Sequence, residues 1–374
     1  MAVGIVGGSV AGLSTAISIL ELDANAKVAV YERKKEFGEP CGGAIGIYMY
    51  NVLGDTFKRL ILSSTLSPIF YVEVFAPDGS SWKVTSPNPM GFLVDRGKLE
   101  SSMADKVQDY GGKVYTGTHV EEVHADFIRT GSWFTSYDYV VDARGLQPPF
   151  PASHDMHHCV QIEMPTPYLE KGSIRLYFGE EVAPKGYAWI FTIQEGFSKI
   201  GLGVPLSLKL NPARLLEKFV KYHSELDYTL FKSIVGKSLQ SKVIPTAKAG
   251  PLIEDGVFRV GDRALLCDPS TGGGIANAML SGYACAKAIV SGRPQDYVKG
   301  MKGMVKQNAF RYMIKDKVLY KVGDEGLNRL IASVKGFKPT LKRFDVDVVR
   351  AFTHVLVRNP KFFKLLMSRP HQGG

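Results

Sequence analysis

The run Gly7-Gly8-Ser9-Val10-Ala11-Gly12 and the acid Glu32 have the types and spacing that bind a dinucleotide. Glycines between a strand and a helix let backbone N–H groups approach a pyrophosphate at the helix N-terminus, where dipole and unpaired donors favour negative charge. Glu32, followed by Arg33, stands about 20 residues beyond Gly12, the spacing at which an acid accepts hydrogen bonds from an adenosine ribose. Ser9 replaces the middle glycine of the motif; serine still permits close approach and adds a hydroxyl. A second cradle, Asp268-Pro269-Ser270-Thr271-Gly272-Gly273-Gly274-Ile275, opens a helix of small residues. Its glycines again offer N–H donors. A simple nicotinamide dehydrogenase has no use for two cradles, whereas FAD has a pyrophosphate, a ribityl chain and a ring to grip.

Three further groups carry chemistry-bearing side chains. Pro40-Cys41-Gly42-Gly43-Ala44 places a cysteine on a glycine loop, either as a buried hydrophobe or as a thiol facing the cofactor. Arg96 follows the N-cap candidate Asp95 at a helix start beside the sheet, and its fork suits phosphate. Tyr187, Trp189 and Phe191 alternate, so their side chains share one face of a strand. Such a stripe is core or the wall of an apolar site. His154, His157, His158 and Cys159 cluster without a second ligand group, so no metal is expected there, only a solvated turn leading into a strand.

The elements that must position these groups are read from periodicity. A strand over 3–6, a helix over 13–22 and a strand over 27–31 make a parallel unit; helices are expected over 47–62, 97–110, 212–226 and 276–290. Strands are expected over 70–75, 80–84, 92–94, 114–115, 118–123, 133–141, 160–163, 174–178, 187–193 and 198–204, and 253–260 leads to Gly261-Asp262. The fold class is α/β with an α+β second lobe. A Rossmann-like FAD-binding domain (1–65, 92–150 and 245–295) is interleaved with an antiparallel-sheet substrate domain (66–91 and 151–244), followed by a basic helical region (296–374).

The chain of 374 residues can bury a sizeable core in two lobes. Its first strand starts at once, leaving no room for a signal peptide, and no run reaches the ~18 apolar residues of a transmembrane helix. Four scattered cysteines without a C-x-x-C pair suggest reduced thiols, and a cytoplasmic protein is expected. The net charge of +10 comes from the region after Lys299, where basic residues exceed acids by about a dozen. That field suits a solvated face, anionic lipid headgroups or a phosphorylated substrate. Phe352, Leu356, Phe362, Phe363 and Leu366 among Arg350, Arg358, Lys361 and Lys364 have the pattern of an interfacial helix on the inner face of a membrane. No nucleic-acid signature is present.

Together these motifs resemble the aromatic-hydroxylase type of FAD flavoproteins. Pro40-Cys41-Gly42-Gly43 and Pro184-Lys185-Gly186-Tyr187-Ala188-Trp189-Ile190-Phe191 resemble, within that type, the geranylgeranyl reductase family and its P-x-x-Y-x-W-x-F signature. The resemblance implies Ala11 and Gly12 at the pyrophosphate, with Gly7 and Ser9 in the same turn, and Glu32 on the ribose. It also implies Cys41 and Gly42 near the flavin ring, Arg96 near the phosphates or ribityl chain, the Val120 backbone at adenine, and Asp262 at the ribityl or pyrophosphate region. Gly273, Gly274 and Ile275 would meet the ring's polar edge, and Tyr187, Trp189 and Phe191 would wall a channel for an isoprenoid chain. Thr192, Ala44 and Arg144 depart from the family pattern; Arg144 interrupts the Asp-Gly that hydroxylases use near a nicotinamide.

The implied activity is reduction of isolated C=C bonds in geranylgeranyl lipids or prenyl diphosphates of archaeal membrane synthesis, with hydride from flavin N5 and a proton from Tyr187 or Cys41. Trp189 would offer its face to developing positive charge. The electron donor would be NADPH, ferredoxin or a deazaflavin, the last two through a redox partner protein or cofactor. The rival readings are a flavin monooxygenase of an apolar substrate, a non-redox lycopene-cyclase-like flavoprotein, and a lipid-binding flavoprotein without turnover.

Overall fold

The computed structural model describes residues 1–149, 153, 155–194, 196–335, 337 and 354–355. The proposed interfacial residues Phe352, Leu356, Phe362, Phe363, Leu366, Arg350, Arg358, Lys361 and Lys364, like His154, lie outside the described residues.

The first lobe is built on a six-stranded sheet in the order Ile253–Glu254, Val257–Arg259, Tyr139–Asp142, Ala2–Val6, Lys27–Tyr31, Lys113–Tyr115. All its pairings are parallel except the edge hairpin. Parallel strands need crossovers that cover both faces, which explains the continuous apolar runs at Val3–Val6 and Val28–Val30. The helix Val10–Leu22 is buried on almost every side, as an all-round apolar helix must be. It crosses the helix Ile275–Val290 closely: a Cβ added to Gly282 would lie 2.9 Å from the Ala11 carbonyl oxygen and from the Thr15 amide. The small residues of the second helix therefore serve a close crossing that sets both glycine cradles side by side.

The second lobe is a seven-stranded sheet in the order Gln240–Pro245, Met156–Pro165, Phe197–Pro205, Tyr187–Gln194, Ser173–Tyr177, Tyr71–Phe75, Ser81–Thr85. All pairings are antiparallel except that of Ser173–Tyr177 with Tyr71–Phe75. Helices Pro212–Tyr222 and Tyr228–Ser238 cover its outer face through Leu216, Phe219, Val220 and Phe231. A three-stranded sheet, Ala44–Gly46, Gly91–Val94 and Thr65–Ile69, joins the lobes beside the cysteine loop.

Several expectations need correction. The helix expected over 47–62 is two helices, Ile47–Val52 and Asp55–Ser63, because Gly54 is extended and Asp55 starts a new first turn. The strand expected over 133–141 belongs to two sheets, Trp133–Ser136 and Tyr139–Asp142, separated where Asp138 accepts the Ala2 amide at 2.7 Å. The segment 118–123 is strand only at Glu122–Val123, pairing with an unexpected strand Phe127–Thr130. His157 and His158 are strand residues, not a solvated turn: Met156–Pro165 is flanked on both sides, and the ladder carries them into the sheet. His157 is buried, with Nδ1 2.8 Å from Thr246 Oγ1 and Nε2 3.0 Å from the Tyr320 hydroxyl.

Candidate functional site

One cavity of about 1640 Å³ runs between the lobes. It exceeds the roughly 300–1,000 Å³ of a site for one small molecule, so it has room for a large cofactor and a second guest. Gly7, Ser9, Ala11, Glu32, Arg33, Cys41, Gly42, Arg96, Val120, Tyr187, Trp189, Phe191, Asp262, Gly273, Gly274 and Ile275 all line it. Gly12 does not: its added Cβ would fall 1.9 Å from the Gly7 carbonyl oxygen, so this glycine closes the turn on itself. Gly7, at φ +111°, lies against the Ala143 carbonyl in the same way. Among the described residues, no group of three or more His, Cys, Asp or Glu could hold a metal ion.

At the nucleotide end, the Gly8 amide donates to Glu32 Oε2 at 2.7 Å and the Lys34 amide to Oε1 at 2.8 Å. Two backbone donors fix the carboxylate, and the remaining lone pairs of each oxygen are those a ribose would use. Ser9 is the N-cap of the first helix but makes no side-chain cap bond. The Val10 amide instead donates to the buried Glu100 at 3.3 Å, and Ala11 and Gly12 occupy the first turn, where the helix provides no acceptor for its amides.

Glu100 was not anticipated; the Arg96-x-x-x-Glu100 spacing on an expected helix was its only sequence signal. It pairs with Arg96 and accepts the Gly38 amide at 3.0 Å. Asp95 caps this helix through the Lys98 amide at 2.9 Å, which fixes Arg96 at the first helical position. Arg96 Nε is buried and has no acceptor among the described residues. A buried guanidinium N–H without a partner is costly, and a phosphate or flavin oxygen would satisfy it. The glycine turn, the anchored Glu32 and this waiting donor fit FAD.

Glu39 sits where Lys34 and Lys242 converge, at 2.6 and 3.0 Å. Burial alone would raise its carboxyl, but Lys242 and Lys34 outweigh it and hold the pKa down from 4.5 to about 2. Because the folded-state value is depressed, this contribution is present above pH 4.5 and is lost as pH falls towards about 2. Denaturant titrations of wild type and Glu39→Gln are expected to differ most near neutral pH and to converge on acidification. A gap independent of pH would contradict the ion-pair account.

The aromatic stripe stands on a single sheet face. Tyr187, Trp189 and Phe191 lie in register with Gly203, Gly201 and Lys199, which in turn lie opposite Cys159, Gln161 and Glu163. Directly opposed residues project from the same side of a sheet. The ring centroids of Tyr187 and Trp189 are 5.9 Å apart, and those of Trp189 and Phe191 are 6.2 Å apart. Gly201 and Gly203, which sequence reading passed over, make the space: an added Cβ would lie 2.5 Å from the Trp189 ring at Gly201 and 2.7 Å from Cys159 Sγ at Gly203. The G-x-G alternation in the strand was the available signal.

The Tyr187 hydroxyl donates to the Thr271 carbonyl, tying the stripe to the second cradle. Burial pushes this phenol up, so its proton is firmly held. Gly42 proves to admit an aromatic ring of the protein itself, since its added Cβ would lie 2.5 Å from Phe191.

In the second cradle, Gly272 (φ +71°) donates to the Asp268 carbonyl at 2.9 Å, and the Gly273 amide turns to Thr271 Oγ1 at 3.3 Å. Of the three glycines, Gly274 forms the helix N-cap, with Asp262 beside it. Asp268 is locked by Arg311 and by the Ser270 amide at 2.8 Å. Arg144 is held on Asp142, Nε to Oδ1 at 2.9 Å and Nη2 to Oδ2 at 2.7 Å, with Arg263 at 2.8 Å from the other side. Burial would raise the Asp142 carboxyl, but the two arginines keep it low. Lys315 is buried in the basic region, against Thr246 and 3.4 Å from Asp155, so not all of that charge faces solvent. Among the described residues no helix is long and apolar enough to cross a membrane.

Residues 155–237 match the family described as "Geranylgeranyl reductase catalytic domain". The chain is 27% identical over 369 residues to digeranylgeranylglycerophospholipid reductase 2 of Methanothermobacter thermautotrophicus, covering 89% of this chain and 91% of that protein. It superposes on a geranylgeranyl bacteriochlorophyll reductase-like protein from Thermoplasma acidophilum with a TM-score of 0.80 at 23% identity, covering 97% and 98% of the two chains. CtdE in complex with FAD shares the fold at a TM-score of 0.59 and 14% identity, with 96% and 99% coverage. The cavity and its signature strand thus stand in a chain that is similar to geranylgeranyl reductases in sequence and shares the fold of FAD-binding flavoproteins.

Proposed function

We propose that this chain is an FAD-dependent prenyl reductase that saturates isolated C=C bonds of geranylgeranyl chains, in isoprenoid lipids or prenyl diphosphates of archaeal membrane lipid synthesis. The observation that carries the reading is that one cavity is lined both by the two glycine cradles and by the aromatic stripe, so a nucleotide cofactor and a long apolar chain would meet inside it. In this reading residues 1–65, 92–150 and 245–295 bind the cofactor, residues 66–91 and 151–244 receive the substrate, and the basic residues of 296–374 supply positive charge for a lipid phosphate or membrane surface.

Ala11, in the turn that Gly12 closes, would hold the pyrophosphate, Glu32 the ribose and Val120 the adenine, with Arg96 and Asp262 serving the phosphates and ribityl chain. Gly273, Gly274 and Ile275, which line the same cavity, would hold the ring. Bound FAD supplies a hydride through its reduced ring. The protein supplies what an alkene lacks: a proton source and tolerance of positive charge. Trp189 presents its face to the chain as a cation–π partner. Cys41 is the better-placed acid, because the Tyr187 proton is committed to the Thr271 carbonyl.

The test is mass spectrometry of geranylgeranyl diphosphate and a digeranylgeranylglyceryl phosphate after anaerobic incubation with chemically reduced enzyme. Gain of two hydrogens per bond is expected. An oxygen-dependent hydroxylated product supports the monooxygenase, an isomer of unchanged mass supports the cyclase, and unchanged lipid supports binding alone; each would overturn the reductase.

A further inference from the structure

The cysteine loop is pinned from the opposite lobe. The carbonyl oxygen of Cys41 accepts from Gln161 Nε2 at 3.2 Å and from Lys199 Nζ at 3.3 Å. These donors come from neighbouring strands, Met156–Pro165 and Phe197–Pro205, on the face that carries the aromatic stripe. Gln161 also donates to Gln240 Oε1 at 2.7 Å, so its amide is oriented with nitrogen toward both acceptors.

Lys199 is 5% exposed, an unusual place for an ammonium. Its carboxylate, Glu163 at 3.6 Å, is half-exposed, so a lysine serving that pair alone could have stayed at the surface. It reaches inward to the loop instead. On the next strand the Phe191 ring fills the space over Gly42. Within the loop, Gly43 adopts φ +83° and its amide points to Cys41 Sγ at 3.4 Å.

Three adjacent strands thus hold two consecutive loop residues. A carbonyl fixed by two donors, one of them charged, leaves its peptide little freedom, and the neighbouring thiol inherits that fixity. We propose that Lys199 and Gln161 are positioning residues that set the Cys41 loop from the substrate-facing sheet. The inference builds on the reading of Cys41 as facing the cofactor, but its test reads the loop alone.

The experiment is timed labelling of the purified full-length protein with iodoacetamide, followed by peptide mapping of each cysteine. Burial pushes Cys159 up to about 12 and Cys267 and Cys285 well above the ordinary thiol value, so early labelling reports Cys41. Lys199→Met and Gln161→Leu are each expected to speed Cys41 labelling about tenfold, the worth of one such hydrogen bond. Lys199→Arg is expected to restore the wild-type rate within about twofold. Cys285, on a fully buried helix face, is the internal control: its labelling signals unfolding rather than loop release. Unchanged Cys41 rates in both variants, or Cys285 labelled as fast as Cys41 in both, would overturn the proposal. A failed reductase assay with the expected labelling pattern would leave it standing and remove only the prenyl reading.

Discussion

Arg96→Met is expected to lose about 3–5 kcal/mol of folding stability, because it leaves the Glu100 carboxylate buried without its cation. Glu100 is 1% exposed and also receives the amides of Val10 and Gly38, so it cannot swing out to water. The double variant Arg96→Met/Glu100→Gln should recover part of the loss, since a neutral amide does not demand a counter-charge although its NH2 then faces one of the two backbone amides. Flavin content should not recover with it if the unpartnered Arg96 Nε serves the cofactor. Urea titration and the visible flavin band of each purified variant separate the two effects. Recovery of both by the double variant would reduce Arg96 to a structural ion pair.

Gly201→Val is expected to lower turnover of long prenyl chains on the order of 100-fold, the cost of misplacing a reacting group by about an ångström. The added Cβ would lie 2.4 Å from the Val160 carbonyl oxygen and 2.5 Å from the Trp189 ring, so the strand pair must part locally and the indole must move toward the cavity. Trp189→Ala tests the same wall by removal and should reduce turnover on long chains more than flavin content. Steady-state rates on short and long prenyl substrates, with flavin per protein measured alongside, check both. Equal losses of activity and flavin in Trp189→Ala would mean that the stripe is only core.

The strand-turn-helix-strand with Glu32, the second cradle, Asp95 as a cap and the single-faced aromatic stripe were all legible, because each is a local pattern of period or spacing. Local pattern failed where partners decide. His157 and His158 look like turn residues until strands on both sides draw them into the sheet. The stretch 133–141 reads as one strand, but Tyr137 and Asp138 hand it from one sheet to another. Gly201 and Gly203 carry no chemistry of their own, and their meaning depends on what lies across the ladder.

By itself the sequence determined which backbone turns open on glycines at helix starts, since glycine spacing and helix starts are properties of neighbouring residues. It also carried the P-x-x-Y-x-W-x-F signature by which the chain resembles the geranylgeranyl reductases. Only the tertiary structure decided that Gly12 seals the turn, that Phe191 rather than open space covers Gly42, that Glu100 answers Arg96, and that Lys199 reaches Cys41 across the lobes. The reason is physical: burial, ion pairing and close approach are relations between residues far apart in the chain, and no local period encodes them.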